Sequence, residues 1–161
     1  MDISLRDIRE SDLAMLEVWA HRIGSDNYMS HYLPKGISSQ HIDSNNLFVW
    51  YVIVADGKDV GTIWLEMNSL PQNARLGIFL RDVEYFNKGI GEKAIDLAIK
   101  QAKLFFPINK VVLNVRENNP RAIACYKKCG FEVIDSGVKV DQLGAEIHYL
   151  IMECEVGHHE T

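Results

Sequence analysis

The sequence predicts a mixed α/β (α+β) domain: one central, mostly antiparallel sheet of six to seven strands, flanked by helices. Three observations predict it. Three strand-like runs, 47–54, 60–67 and 74–80, follow one another through short turns as a meander does. Two later segments of helical period, 93–104 and 121–129, each follow a strand-like run. The chain has 161 residues, 47% apolar and 24% charged, which suits a single domain with a substantial core. That domain is expected over 1–156, with 157–161 as a frayed tail.

In chain order, Ile3-Ser4-Leu5-Arg6-Asp7-Ile8 alternates as a half-buried strand does. Ser11 is placed as the N-cap of a helix with Asp12 in its first turn. Leu13, Leu16, Ala20 and Ile23 recur at helical spacing, and Gly24 suits the residue after the helix. From Ser25 to Asn46 no period holds. Tyr28, His31, Tyr32, Pro34 and His41 read as a long polar and aromatic loop, either a binding lid or a plain cover.

The run 47–54 is β-branched and aromatic, hence a buried strand. Asp56-Gly57 predicts a tight hairpin into 60–67, and Pro71-Gln72-Asn73 a second turn into 74–80. Pro107 stops the helix that follows, and 110–115 is another strand. Asn119 suits an N-cap, Pro120 the first helical position and Gly130 the C-terminal stop of the next helix. Strands are expected at 131–134 and 147–152, with 138–144 a loop between them.

Charge and cysteine content exclude several classes. The formal net charge is −5 with no dense Lys/Arg block, which argues against nucleic acid and is compatible with a cationic small acceptor. No apolar run nears the ~20 residues of a membrane span, and no secretory leader opens the chain, so no membrane is expected and a cytoplasmic location is. Cys125, Cys129 and Cys154 have no disulfide-framework spacing. Cys125 and Cys129, four apart on one helix, read as a metal half-site or as small core-facing residues; the lack of a matching Cys/His pair favours the second, and no metal is expected.

One stretch points to chemistry. The strand 74–80 passes through a polar segment into Asn87-Lys88-Gly89-Ile90-Gly91-Glu92 and then a helix. A helix entered through a glycine turn leaves main-chain N–H groups without partners, and its dipole adds positive charge there. Phosphate oxygens suit such a turn, and Lys88 adds a cation. Turns of this kind also open helices that bind nothing. A P-loop and a dinucleotide fingerprint are both absent.

A second stretch gives the first its context. Phe86-x-x-Gly89-x-Gly91 is followed by Asn119-Pro-Arg-Ala-Ile-Ala-Cys-Tyr126-Lys-Lys-Cys-Gly130-Phe131. Together they closely resemble the GNAT superfamily of acetyl-CoA-dependent N-acetyltransferases, whose motifs read Arg/Gln-x-x-Gly-x-Gly/Ala and Asn-x-x-Ala-x-x-x-Tyr-x-x-x-Gly-Phe. The resemblance covers nearly the whole chain. One position departs from it: Phe86 stands where the family usually has Arg or Gln.

The resemblance implies a sheet splayed between its fourth and fifth strands, with acetyl-CoA as co-substrate. It implies that the main chain of Phe79, Leu80 and Arg81 pairs with the pantetheine arm, and that Asn87, Lys88, Gly89, Ile90, Gly91 and Glu92 hold the diphosphate. Asn119 would touch the arm, or serve only as a helix cap. Tyr126 matches the family tyrosine and would protonate the departing thiolate, or simply pack. Glu66 and Asp82 are candidate bases, although each taken singly reads more readily as a solvated surface charge, with a water chain, His31 or His41 as alternatives.

The implied reaction is direct acetyl transfer to a primary amine of a small molecule. Alternatives are acetylation of a protein amino terminus, as in the ribosomal-protein branch, and a non-catalytic acyl-CoA sensor, which Phe86 favours. An exposed carboxy-terminal strand offers a route to a homodimer.

Overall fold

The computed structural model describes residues 1–22, 34, 47–67 and 73–157. Apart from residue 34, the expected lid, including His31 and His41, lies outside them, as do Gly24 and residues 158–161. Seven strands form one sheet: β1 (Ile3–Asp7), β2 (Phe48–Ala55), β3 (Lys58–Met67), β4 (Asn73–Leu80), β5 (Lys110–Arg116), β6 (Glu132–Val140) and β7 (Glu146–Glu155). Their order is β1-β2-β3-β4-β5-β7-β6, antiparallel except for β4 and β5. Among the described residues the helices are α1 (Leu13–Arg22), α2 (Ile90–Phe105) and α3 (Pro120–Lys128).

Alternation along the strands sorts side chains to two faces. Ile63, Leu65, Leu76, Leu80, Leu113 and Val115 pack with Ala94, Ile95 and Ala98 of α2. On the other face Trp50, Trp64 and Phe79 pack with Leu13, Leu16 and Trp19 of α1. Thr62 is fully buried there and loses no hydrogen bond: it accepts from Trp50 Nε1 at 2.8 Å and donates to the Tyr51 carbonyl at 2.8 Å.

The Asp56-Gly57 hairpin forms as expected, with φ of 49° and 81° at its two central residues. Other expectations shift. Ser11 does not cap α1; it sits inside a 3-10 turn, Glu10–Asp12, that leads into the helix. The capping contact belongs to that turn, where the Asp12 side chain accepts from Arg9 N at 2.9 Å. The strand expected at 131–134 runs on to Val140, because pairing with β7 carries it through Val138, Lys139 and Val140. The last strand, β7, lies between β5 and β6, so the free edge at that end of the sheet is β6. Gly157, expected to fray, has its carbonyl 3.4 Å from Lys103 Nζ. No helix among the described residues is long and apolar enough to cross a membrane.

Arg6 ties β1 to the start of α1 and to β3. Its guanidinium lies 2.9 Å from Asp12 Oδ1 and 2.9 Å from Asp59 Oδ2. The hydrogen bonds from Arg6 hold the Asp12 carboxyl below the usual range. A depressed carboxylate stabilises the fold above its unfolded pKa, and that contribution is lost as pH falls through the folded value. Asp12→Asn is therefore expected to lower unfolding free energy by about 1–3 kcal/mol at pH 7. The gap between variant and unaltered chain should close as urea titrations move below pH ~4; a gap independent of pH would contradict the ion-pair origin.

Candidate active site

β4 and β5 pair only through Asn73↔Lys110, Ala74↔Val111 and Arg75↔Val112. Beyond Arg75 each strand follows its other neighbour, β4 as far as Leu80↔Gly61 and β5 as far as Arg116↔Tyr149. The sheet therefore opens between its fourth and fifth strands. A cleft of about 580 Å³ passes through the opening, lined from one face by Ile95, Cys125 and Tyr126 and from the other by Trp64, Glu66 and Arg75.

The register decides which main-chain groups face the gap. Arg81 N–H donates to the Val60 carbonyl at 2.7 Å, on the β3 side. In an antiparallel ladder the hydrogen-bonding direction alternates, so Phe79 also points its peptide groups at β3, opposite Thr62. Leu80 and Ile78 then turn theirs toward β5, where no partner strand remains. Of the three residues expected to pair with the pantetheine arm, Leu80 presents its main chain to the gap, whereas Phe79 and the N–H of Arg81 are committed to β3. Ile78, outside the expected set, has its main chain on the gap side as well. Period-two alternation says that neighbours differ; it does not say which of them faces which strand.

The turn after β4 carries Asn87 at φ 62° and Gly89 at φ 80°. Gly89 is the left-handed N-cap of α2, and a Cβ there would meet nothing within 4 Å, so backbone conformation is what selects glycine. Gly91 is different: a Cβ would come 3.3 Å from Cys125 Sγ, so its bareness lets α2 and α3 approach. The first helical bond runs from Lys93 N–H to the Gly89 carbonyl, which leaves the N–H groups of Ile90, Gly91 and Glu92 without intrahelical acceptors. Asn87, Gly89, Ile90, Gly91 and Glu92 line a second hollow of about 340 Å³. Lys88 is exposed and off that lining.

Phe86 has a compensating neighbour. The Arg121 guanidinium lies 3.7 Å from the centroid of the Phe86 ring and lines both hollows. Position 86 thus holds a cation by its face in place of being one. A signal for Arg121 existed in the sequence, since Pro120 at the first helical position fixes Arg121 in the first turn of α3.

Asn119 caps α3, accepting from Ala122 N at 3.3 Å, and also lines the main cleft. Tyr126 lines the cleft with its ring 6.0 Å from that of Phe131. It is partly buried at the opening, and its hydroxyl makes no hydrogen bond among the described residues. Burial of the phenol pushes its pKa well up, so it stays protonated at neutral pH. Glu66 lines the cleft, directly across the β3–β4 ladder from Arg75. Asp82 does not line it; the carboxylate accepts from Glu84 N at 3.2 Å and faces Arg22 and Arg81 at 3.8 and 3.7 Å. Cys125 and Cys129 share a hydrogen bond that pulls the Cys125 pKa down and pushes that of Cys129 up. Among the described residues no cluster of three or more His, Cys, Asp or Glu is placed to hold a metal.

Gly77 shapes the wall of the cleft. A Cβ there would fall within the Trp64 indole, so the bare backbone lets that ring lie across β4. Gly77→Val is expected to destabilise the chain by about 1–3 kcal/mol in urea titration. An unchanged midpoint would show that Trp64 moves aside freely.

The model for the acetyltransferase (GNAT) family matches residues 11–131. The chain is 31% identical over 97 residues to mycothiol acetyltransferase of Corynebacterium glutamicum (strain R), a match spanning 60% of this chain and 31% of that protein's length. It is 24% identical over 151 residues to spermidine N(1)-acetyltransferase of Vibrio cholerae, covering 87% of this chain and 83% of that one. Among solved structures, AAC(6')-Ib in complex with acetyl-CoA superposes with a TM-score of 0.74 at 20% identity, over 97% of this chain and 94% of that one.

Proposed function

The chain belongs to the acetyltransferase (GNAT) family, and on that premise we propose that it transfers an acetyl group directly from acetyl-CoA to a primary amine of a small molecule. The observation that carries the reading is the single cleft that joins the open edge of β4 to Tyr126 and Glu66. The relatives are named as acetyltransferases of mycothiol and spermidine, both small molecules, which favours a small acceptor over a protein amino terminus.

The residues present fit the co-substrate. Its amide-bearing arm suits the unpaired main chain of Ile78 and Leu80, as an added strand suits an open edge. Its diphosphate suits the free N–H groups of Ile90, Gly91 and Glu92, with Asn87 and Gly89 shaping the approach. Arg121 supplies the positive charge that Phe86 lacks, and this removes the main support for a non-catalytic sensor. When bound, acetyl-CoA supplies an activated acyl carbon and a thiolate leaving group.

The chain's own residues do the rest. The gap holds donor and acceptor side by side, and proximity alone lowers much of the barrier. Glu66, on the cleft wall, accepts the proton an ammonium must lose before its nitrogen attacks. Tyr126, protonated at neutral pH, donates to the sulfur as the C–S bond breaks. Asn119 orders the start of α3 and so positions both Arg121 and Tyr126.

Tyr126→Phe is expected to lower kcat by about 100-fold while leaving CoA affinity close to that of the unaltered chain. Free thiol released against an amine panel reads the first quantity and calorimetry the second; an unchanged kcat would remove Tyr126 from the mechanism. Arg121→Ala should weaken CoA binding by about ten-fold, as loss of a charge-assisted contact does. Equal affinity in the variant would mean that Arg121 only packs on Phe86.

A further inference from the structure

We infer that the acceptor carries an anionic group, a carboxylate or a phosphate, a few bonds from the amine that is acetylated. The inference rests on the acetyl-transfer reading and concerns the half of the cleft on the α1 face of the sheet. Trp64, Glu66 and Arg75 belong to that face, because they alternate with the residues that pack on α2. Arg116 does too, since its neighbours Leu113 and Val115 are in the α2 core. Lys139 reaches it from β6, with Nζ 5.7 Å from the Tyr149 ring centroid. Tyr149 is itself the register partner of Arg116.

The charge on this lining has the opposite sign to the charge of the whole chain. Among the described residues Arg75, Arg116 and Lys139 line the cleft here, against one carboxylate, Glu66. Arg121 is not part of this set, because it sits on the α2 face beside the diphosphate turn. The acidity behind the net charge of −5 is partly spent elsewhere. Asp12 and Asp59 pair with Arg6, Asp82 faces Arg22 and Arg81, and Asp96 pairs with Lys100. A polycationic acceptor would meet the Arg75 guanidinium at the floor of this half of the cleft.

Arg75 locates the anion. It is half-buried at the last position where β4 still pairs with β5, which is the floor of the opening. Its guanidinium makes no hydrogen bond or ion pair among the described residues. A partly desolvated fork of five donors is stabilised by a carboxylate or phosphate that takes two of them at once. Glu66 stands directly opposite across the ladder, where facing Cβ atoms are about 5 Å apart. A ligand that turns its ammonium to Glu66 and its anion to Arg75 therefore needs only a short spacer between the two.

The test compares matched acceptors with the full chain and acetyl-CoA, read as kcat/KM by thiol release. A carboxylate-bearing amine is set against its carboxamide, phosphoethanolamine against ethanolamine, and spermidine stands as the polycation. At least one anionic member should exceed its neutral partner by about ten-fold or more; the pair showing the larger ratio separates carboxylate from phosphate. Arg75→Gln should collapse that ratio toward one, and Arg75→Lys should retain part of it. Because a ratio is read, partial misfolding of a variant does not imitate the result. Neutral amines or spermidine outperforming both anionic amines would overturn the inference and leave acetyl transfer standing. So would a ratio unchanged in Arg75→Gln. Failure of every amine to release thiol would overturn the acetyl-transfer reading, and this inference with it.

Discussion

The structure depends on one broken ladder. β1, β2, β3 and β4 form one antiparallel unit and β5, β7 and β6 another, and the two are joined only at Asn73, Ala74 and Arg75 of β4. Main-chain donors and acceptors beyond that join are satisfied on the outer side of each strand and open on the inner side. An open edge is ordinarily a liability that invites another chain to pair. Here it is recessed between two halves of a sheet, with Ile95 of α2 and Tyr126 of α3 lining the cleft, and on the proposed reading it is the amide-bearing arm of the co-substrate that pairs with it. The helix N-terminus just beyond the edge then meets whatever charge that ligand carries at its far end.

Much of this was legible in the sequence because it rests on local chemistry. Asp56-Gly57 specifies its turn through the left-handed conformations of both residues, and Asn119-Pro120 opens α3 through a cap and a fixed φ. The glycine turn at 87–92 was legible for the same reason. What escaped was whatever depends on phase or on distant partners. The expected main-chain contacts at Phe79 and Arg81 turn toward β3, and only the observed bond from Arg81 to Val60 sets that phase. Ser11 falls inside a 3-10 turn instead of capping α1, because Arg6, on another element, fixes the Asp12 carboxylate in reach of Arg9 and closes that turn. β6 was read too short because its side chains are almost all exposed and carry no apolar period, while its pairing with β7 continues regardless.

Phe86 shows how a departure from a pattern is resolved in three dimensions. Read along the chain, an aromatic ring in place of a cation removes charge from the diphosphate turn. In the fold, the ring's face holds the Arg121 guanidinium at 3.7 Å, delivered from the first turn of the neighbouring helix. Charge distribution follows the same lesson. A net charge of −5 describes the whole chain, whereas the charged side chains described on the α1-face lining are Arg75, Arg116 and Lys139 against Glu66. Local placement, set by which face each strand residue occupies, decides what the cleft admits.

The most direct test of the central claim is amide hydrogen exchange, resolved to single residues, with and without acetyl-CoA. The account predicts slowed exchange at the N–H groups of Leu80, Ile90, Gly91 and Glu92 on binding, while Arg81, already bonded to Val60, changes little. Binding that leaves Leu80 and the first turn of α2 exchanging at their free rates would contradict it.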